Sequence, residues 1–346
     1  MKPRWTQRPE GSTWGDFGID DQLGRINLLT AEKVRQGAAE IHEGLNFCLS
    51  LPLDYPGEAK LNPRRHPPQI TPTYSGDKPY LNFPLSRLDA QNTDIVSDDQ
   101  VLLTLQYSTQ WDSLAHVGAW FDADGDGVAE KVYYNGFRAN EHIRGPINYE
   151  GEHEHQCPEP FGALALGIDN FAVKPIQGRA VLVDLHSHLG KQRHAVSYDD
   201  FMRVLEKDRV VIESGDILVL RTGFTDLIMT MNRHPDMEVL KNAGAGLDGR
   251  DEKLLQWISD SAVAAICADN YAVEFYPAKP APGQRPALPL HQHCLFKLGV
   301  PLAELWWLKD LADWLSANGR SRFFLTAPPL RLPGAVGSPA TPVATV

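Results

Sequence analysis

Short, continuous apolar runs mark the second half of the chain. They cover residues 180–185, 217–221 and 262–267, and a Gly-Asp turn precedes the second run. Apolar runs of this length, bounded by turn residues, are typical of strands that are covered on both faces of a sheet. The pattern therefore predicts three buried strands in this part of the chain.

Segments with helical features lie around these runs. Thr30 has the position of an N-cap for a helix that continues to about residue 43, and Ser197 starts a second helix with an acidic first turn. Helices and strands mix without strict βαβ alternation, so we predict a single α/β (α+β) domain with one core, spanning residues 1–346. Further helices are predicted at 250–260, 293–297 and 302–314, and further strands at 47–51 and 101–105.

Two segments depart from this pattern. Residues 52–93 contain many prolines and little periodicity, and connections of this length are usually functional or disordered. We expect a surface excursion or lid there. Residues 327–346 are rich in Pro, Gly and Ala, and we expect an extended C-terminal tail.

Composition narrows the function classes. A net charge of −11 with no basic patch argues against nucleic-acid binding. No stretch approaches the roughly 20 apolar residues that span a bilayer, and the N-terminus lacks the apolar segment of a signal peptide. The four cysteines are far apart, as expected for reduced thiols. We expect a cytoplasmic protein with no membrane partner.

The chemically distinctive segment runs from Gln106 to His116. Gln106, Gln110, Asp112 and His116 follow one another at intervals of four, two and four residues, directly after the apolar run 101–105. A strand that ends there could bring these amide, carboxylate and imidazole groups to one ion or substrate. Trp111 lies inside the motif, where it could form an aromatic wall for a planar substrate or pack in the core.

This segment resembles the metal-binding signature of the cyclase family, the metal-dependent hydrolases that include bacterial kynurenine formamidase and isatin hydrolase. The signature reads His-x-Gly-Thr-His-x-Asp-x-Pro-x-His. Thr109, Asp112 and His116 fit it, whereas Gln106 and Gln110 stand where the family has two histidines.

The resemblance extends over most of the chain and implies the family's compact swivelling β/β/α fold. Near the C-terminus the family has a histidine twelve residues before a glutamate. Aligning Glu304 with that glutamate puts Gln292, not His291, at the histidine position. The other segments that carry the resemblance are 11–30, 178–184, 215–223 and 268–270 with Glu274, the last of which resembles the segment that lines the site.

Catalytic members of the family bind one or two divalent ions through imidazoles and carboxylates. Because glutamines replace three imidazoles here, we expect a two-zinc centre to be absent. Two interpretations remain. In the first, Asp112, His116 and Glu304 hold a single ion with help from Gln110 or His291. In the second, these residues form a metal-free polar network. Two carboxylates, one imidazole and amide oxygens favour Mn²⁺ over Zn²⁺.

The resemblance implies a hydrolase of a non-peptide C–N bond, such as an aryl formamide, a lactam or another cyclic amide. His116 would carry the proton, since its pKa lies near the working pH, and Asp112 and Glu304 would share the roles of ligand and base. The alternative is a metal-free small-molecule-binding protein, or a cyclase or isomerase. We expect a small-molecule substrate, contacted by Gln106, Trp111 and Asn270, and a homo-oligomer, a dimer or tetramer, as is usual in the family.

Other polar groups have plainer interpretations. Residues 122–127 match the first half of an EF-hand loop but lack its final glutamate, so an acidic hairpin turn is the favoured interpretation. His142, His153 and His155 are expected in a solvated loop, with a substrate contact as the alternative. His186 and His188 are expected at the surface or in the core.

Overall fold

The computed structural model describes residues 4–149 and 154–346. Its centre is a nine-stranded sheet. The strands are β1 (Asn46–Cys48), β2 (Gln110–Asp112), β3 (Gln177–Asp184), β4 (Ile217–Arg221), β5 (Ala265–Ala268), β6 (Leu302–Glu304), β7 (Arg322–Thr326), β8 (Gly337–Pro339) and β9 (Val343–Thr345). Their order in the sheet is β1-β9-β7-β3-β4-β5-β6-β2-β8. The strands from β3 to β6 run parallel to one another, and the pairs on both sides of this group are antiparallel.

The parallel strands form the core that the apolar runs predict. Every residue of β4 and β5 is buried, as are the six central residues of β3. Strands covered on both faces need apolar side chains on both, which explains continuous runs in place of alternation. The predicted mixed α/β architecture is confirmed.

Helices cover the sheet and begin where their caps predict. The Thr30 side chain accepts a hydrogen bond from Lys33 N, and Ser197 forms a capping box with Asp200. The α-helices are Ala31–Ala38, Asn170–Val173, Leu185–Leu189, Tyr198–Asp208, Phe224–Thr230, Met237–Leu240, Glu252–Ser261, Pro289–His291 and Lys309–Ala317, with 3₁₀ turns at Gly24–Leu28, Leu85–Arg87 and Tyr134–Gly136 and a π-helix at Gln292–Leu298.

Three predicted elements differ in the structure. The first helix ends at Ala38, and the backbone N–H groups of Glu43 and Gly44 donate to the carbonyl of Val346. Residues 302–314 are not one helix: they form strand β6, a short connection and the start of the helix Lys309–Ala317. The extended tail is part of the sheet, since it supplies β8 and β9.

The excursion forms small hairpins beside the sheet. Gln69–Pro72 pairs with Asp99–Leu102, so the apolar run before Gln106 lies in an exposed hairpin and not in the main sheet. The two other hairpins here join Tyr74–Ser75 to Lys78–Pro79 and Phe83–Pro84 to Ile95–Val96. Elsewhere, short ribbons pair Ala119–Phe121 with Glu130–Val132, Ile143–Arg144 with Gly162–Ala163, Ile147–Asn148 with His155–Gln156, and His194–Val196 with Ala245–Leu247. Within the described residues, no helix has the length and apolar character needed to cross a membrane.

Candidate metal centre

Strands β2 and β6 bring the motif and the C-terminal glutamate together. In their antiparallel register Gln110 lies opposite Glu304, and Asp112 lies opposite Leu302. Side chains two residues apart on a strand share a face, so Gln110, Asp112 and Glu304 point to the same side of the sheet. All three are buried.

A histidine reaches this group from a helix whose geometry changes at that residue. His291 ends the α-helix Pro289–His291 and is followed directly by the π-helix Gln292–Leu298. A π-helix spaces its hydrogen bonds over five residues in place of four. Counting back from Glu304 gives Gln292 at the family's histidine position, whereas the structure buries His291 in the site and leaves Gln292 half-buried beside Arg250.

Asp112, His291 and Glu304 form a compact set of ligand atoms. His291 Nε2 lies 3.4 Å from Glu304 Oε1 and 4.0 Å from Asp112 Oδ2. One ligand atom from each residue lies within 4.8 Å of the other two. Asp112 Oδ2 is buried and has no hydrogen-bond partner in the described part of the chain. An orphaned carboxylate oxygen beside an imidazole and a second carboxylate fits a divalent cation.

Gln110 and His116 lie beside these three residues. Gln110 Nε2 donates to Glu304 Oε2 at 3.1 Å and to Asp112 Oδ1 at 3.5 Å, so the amide fixes both carboxylates. His116 Nε2 lies 3.8 Å from Asp112 Oδ1, and its side chain is 22% exposed to the adjoining cavity. Of the predicted ligands, the structure thus gathers Asp112, His291 and Glu304, with Gln110 as a donor to them and His116 at the wall.

Burial and mutual charge determine the protonation of the three central residues. Burial raises the pKa of Asp112, and the nearby charge of Glu304 raises it further. Burial would also raise the pKa of Glu304, but the hydrogen bond with His291 and the nearby charges of His291, Arg65 and His116 together outweigh it, and the pKa is lowered. For His291, burial favours the neutral form, but hydrogen bonds with Glu274 and Glu304 raise its pKa to about 10. A positive charge between the two carboxylates, from an imidazolium or from a bound cation, would favour their ionised forms.

The chain matches a protein-family model and several solved structures. The family model described as "Putative cyclase" matches residues 49–275. A crystal structure described as that of a novel cyclase is 32% identical to this chain, covers 97% of each chain and has a TM-score of 0.73. The chain belongs to the cyclase family. No curated protein matches it at a significant level.

More distant cyclase folds include isatin hydrolases. Isatin hydrolase A from Ralstonia solanacearum is 15% identical, with 87% of this chain and 91% of that chain covered and a TM-score of 0.53. An isatin hydrolase bound to the product analogue thioisatinate is 13% identical, with 92% and 99% covered and a TM-score of 0.54. The predicted family resemblance is confirmed.

A cavity of about 130 Å³ opens next to the carboxylates of this cyclase-family chain. Its wall includes three residues of the excursion, Asn62, Arg64 and Arg65, together with Tyr271. Arg65 Nη1 lies 3.9 Å from Glu304 Oε2 and donates to the carbonyl of Gln106 at 2.8 Å. Sequence reasoning missed Arg65 and Tyr271 as site residues, and the only signal was the unusual length of the proline-rich segment.

The three residues predicted to contact substrate are not among those that line the cavity beside the carboxylates. The expectation that Trp111 forms an aromatic wall is corrected: alternation along β2 turns it to the opposite face, fully buried, with its ring 5.5 Å from that of Trp306. Gln106 packs its amide against Gly337 of β8, outside the cavity wall. Asn270 donates to the carbonyls of Ala245 and Val273, and it lines a second, larger cavity next to this one.

The acidic turn and the other histidines singled out in the sequence make contacts outside the candidate metal centre. Asp122 accepts hydrogen bonds from the backbone of residues 125–127, as in an acidic turn, and Asp122, Asp124 and Glu130 form a second acidic cluster in which Glu130 also pairs with Arg138. His142 accepts from Arg138 N, His155 is exposed, and His153 lies outside the described residues. His188 contacts Asp208, and His186 lies against Gly223.

Proposed function

We propose that this chain is a metal-dependent hydrolase that cleaves a non-peptide C–N bond, in an aryl formamide, a lactam or another cyclic amide. The observation that carries the proposal is the convergence of Asp112, His291 and Glu304 on one point, with His116 beside them. Membership of the cyclase family and a fold shared with isatin hydrolases support hydrolysis as the reaction.

Asp112, His291 and Glu304 would hold one divalent ion. Two carboxylates and one imidazole suit Mn²⁺ better than Zn²⁺, which favours more nitrogen and sulfur donors. When bound, such an ion lowers the pKa of a coordinated water and polarises a carbonyl oxygen. The Glu274 carboxylate would keep the Nδ1 proton of His291 in place and leave Nε2 free to coordinate.

His116 would deliver the proton to the leaving nitrogen. Its imidazole is partly exposed to the cavity, and its Nε2 lies 3.8 Å from Asp112 Oδ1. Arg65 would orient the carbonyl group or the carboxylate that forms, because its guanidinium faces the same cavity. Gln110 would hold Glu304 and Asp112 at their spacing.

A substrate panel tests the proposal. Chelator-treated protein, and the same protein reloaded with Mn²⁺ or Zn²⁺, would be assayed with N-formylaniline, isatin and phenyl acetate, the last as an ester control. We expect the amides to be hydrolysed by the Mn²⁺-loaded protein and not by the chelated protein. The proposal would be contradicted if the Mn²⁺-loaded protein hydrolysed neither N-formylaniline nor isatin.

A second candidate, a metal-free small-molecule-binding protein, is favoured by the contacts of Gln110. Its amide donates to both carboxylates, as a network without an ion would require. Ion retention separates the two functions. Protein purified without chelators should contain about one equivalent of Mn or Zn if it is the hydrolase, and none if it is the binding protein.

A further inference from the structure

A second, larger cavity adjoins the one beside the carboxylates. Its volume is about 340 Å³, and Tyr271 and Tyr276 line both cavities. Apolar side chains form most of its wall, so we call it the apolar chamber. The residues that define the apolar chamber are Leu61, Phe224, Met237, Leu240, Ala243 and Phe275.

The two cavities differ in volume and in the side chains that line them. Small-molecule sites in proteins usually enclose roughly 300–1,000 Å³. The cavity at His116 and Glu304, with about 130 Å³, is below this range and is lined mainly by polar side chains. The apolar chamber has the volume and the apolar surface that a ring system needs.

The same short segments build the walls of both cavities. Leu61 lines the apolar chamber, and its neighbour Asn62 lines the smaller cavity and donates to the Tyr271 hydroxyl at 3.1 Å. Glu274 lines the apolar chamber while its carboxylate binds His291. A group that fills the apolar chamber would thus contact the residues that position the reactive ones.

The backbone between the two cavities is strained. Ala272 has φ of 84° and Val273 has φ of 56°, in the left-handed region that β-branched residues avoid. Strain of this kind costs about 1–3 kcal/mol per residue and is concentrated at ligand sites. Here the strained pair lies between Tyr271 and Glu274, the two residues that connect the cavities.

The apolar chamber also has a cationic wall residue. The Arg193 guanidinium lies 3.9 Å above the Phe275 ring and donates to the carbonyl of Tyr276 at 3.1 Å. Its second hydrogen bond goes to the carbonyl of Pro277, and its side chain is exposed. Lys241, on the same wall, is paired with Glu238. An anionic group on the ligand would therefore find Arg193 available.

We propose that the apolar chamber binds an aromatic ring system that carries a carboxylate, with the ring against Phe224 and Met237 and the carboxylate at Arg193. This assignment rests on the proposed function in one respect: the bound ring belongs to the substrate whose amide is cleaved in the smaller cavity. The substrate class is then an aryl amide with a second, anionic substituent.

Binding of 2-naphthylacetate tests the assignment without turnover. Isothermal titration calorimetry on the chelator-treated protein would compare wild type with Ala243→Trp, which fills the apolar chamber, and Arg193→Gln. Ala317→Trp, exposed on the helix Lys309–Ala317, is the matched control for added bulk. Neutral 2-naphthylacetamide is the matched control for the carboxylate.

We expect Ala243→Trp to weaken naphthylacetate binding at least tenfold and Ala317→Trp to leave it unchanged. Arg193→Gln should weaken naphthylacetate about tenfold and leave the amide unaffected. Equal binding to wild type and Ala243→Trp, or no binding to wild type, would overturn the assignment. If Ala243→Trp is unfolded by circular dichroism, the smaller Ala243→Leu replaces it.

The outcomes also separate this inference from the proposed function. Probe binding that Ala243→Trp removes, in a protein that hydrolyses no amide, would retain the chamber and its ligand class and reject the hydrolase. Amide hydrolysis by a protein whose probe binding ignores Ala243→Trp would retain the hydrolase and reject the chamber.

Discussion

The Nδ1 atom of His291 lies 2.7 Å from Oε1 of Glu274, and this contact fixes the orientation of the site's buried imidazole. The same carboxylate accepts from the backbone N–H groups of Leu290 and His291 at 3.2 and 3.0 Å. Glu274 thereby binds both the ring and the helix end that carries it, while Nε2 faces Asp112 and Glu304.

This contact predicts the effect of Glu274→Gln on metal affinity. Replacing a carboxylate that orients a metal-bound histidine typically weakens the metal roughly 10–100-fold. We expect a loss of that size for Mn²⁺ in a competitive chelator titration, with an unchanged circular dichroism spectrum. Glu252→Gln, at an exposed helix start, is the matched control and should bind as wild type does. Equal affinities in the two variants would contradict the positioning role.

Replacing Gln106 and Gln110 with histidines should change the number of metal ions that the protein binds. Gln106→His combined with Gln110→His restores the family's residue types next to Asp112. We expect the double variant to bind about two equivalents of Zn²⁺ by mass spectrometry of the metal-loaded protein, against about one in wild type. Gln292→His, which adds an imidazole at the surface, is the control and should leave the count unchanged. A double variant that still binds one ion would show that more than ligand identity has changed.

Replacement of His116 should affect turnover, whereas replacement of Asp112 should affect metal binding. His116→Asn should keep its metal and lose roughly 10²–10⁴-fold in kcat, the usual contribution of a general acid or base. Asp112→Ala should lose the metal. His234→Asn, at a largely exposed histidine, controls for the change of residue type. A His116→Asn enzyme with wild-type kcat would remove His116 from the proton transfer.

Asp200 predicts a pH-dependent contribution to stability. Burial opposes its ionisation, but hydrogen bonds with His194, Ser197 and Arg203 outweigh burial and hold its pKa well below the usual range. A depressed carboxyl pKa stabilises the fold above the unfolded-state value of about 4, and that stability is lost as pH falls towards the folded-state pKa.

Urea unfolding at several pH values measures this contribution. Asp200→Asn also weakens the capping box, so we expect a loss of about 1–2 kcal/mol at pH 7 that shrinks below about pH 4. Asp199→Asn removes the same charge from the same helix turn at an exposed position and should cost less than about 0.5 kcal/mol. A pH-independent difference between Asp200→Asn and wild type would leave only the capping role.

The sequence predicts those parts of the fold that depend on local pattern. Strand β4 is recognisable because a Gly-Asp turn precedes four apolar residues, and the helix at Ser197 because its cap and first turn are local. The spacing of Gln110 and Asp112 likewise places both on one face once β2 is known to be a strand.

The positions of the other site residues depend on three-dimensional geometry that residue spacing in the sequence does not predict. His291, not Gln292, lies in the site, and a residue count from Glu304 does not reveal which of these neighbours the helix turns inward. Trp111 turns to the core because of its strand parity, and the motif alone does not distinguish a strand from a loop. Arg65 and Tyr271 meet only because the excursion folds back over the sheet, a contact between segments some two hundred residues apart.

Anomalous diffraction from crystals grown with Mn²⁺ and measured at the manganese absorption edge tests the central claim most directly. We predict one peak, within coordination distance of Asp112, His291 and Glu304, that is absent from crystals of Asp112→Ala. A map without a peak among these three residues, at full Mn²⁺ saturation in solution, would contradict the metal centre.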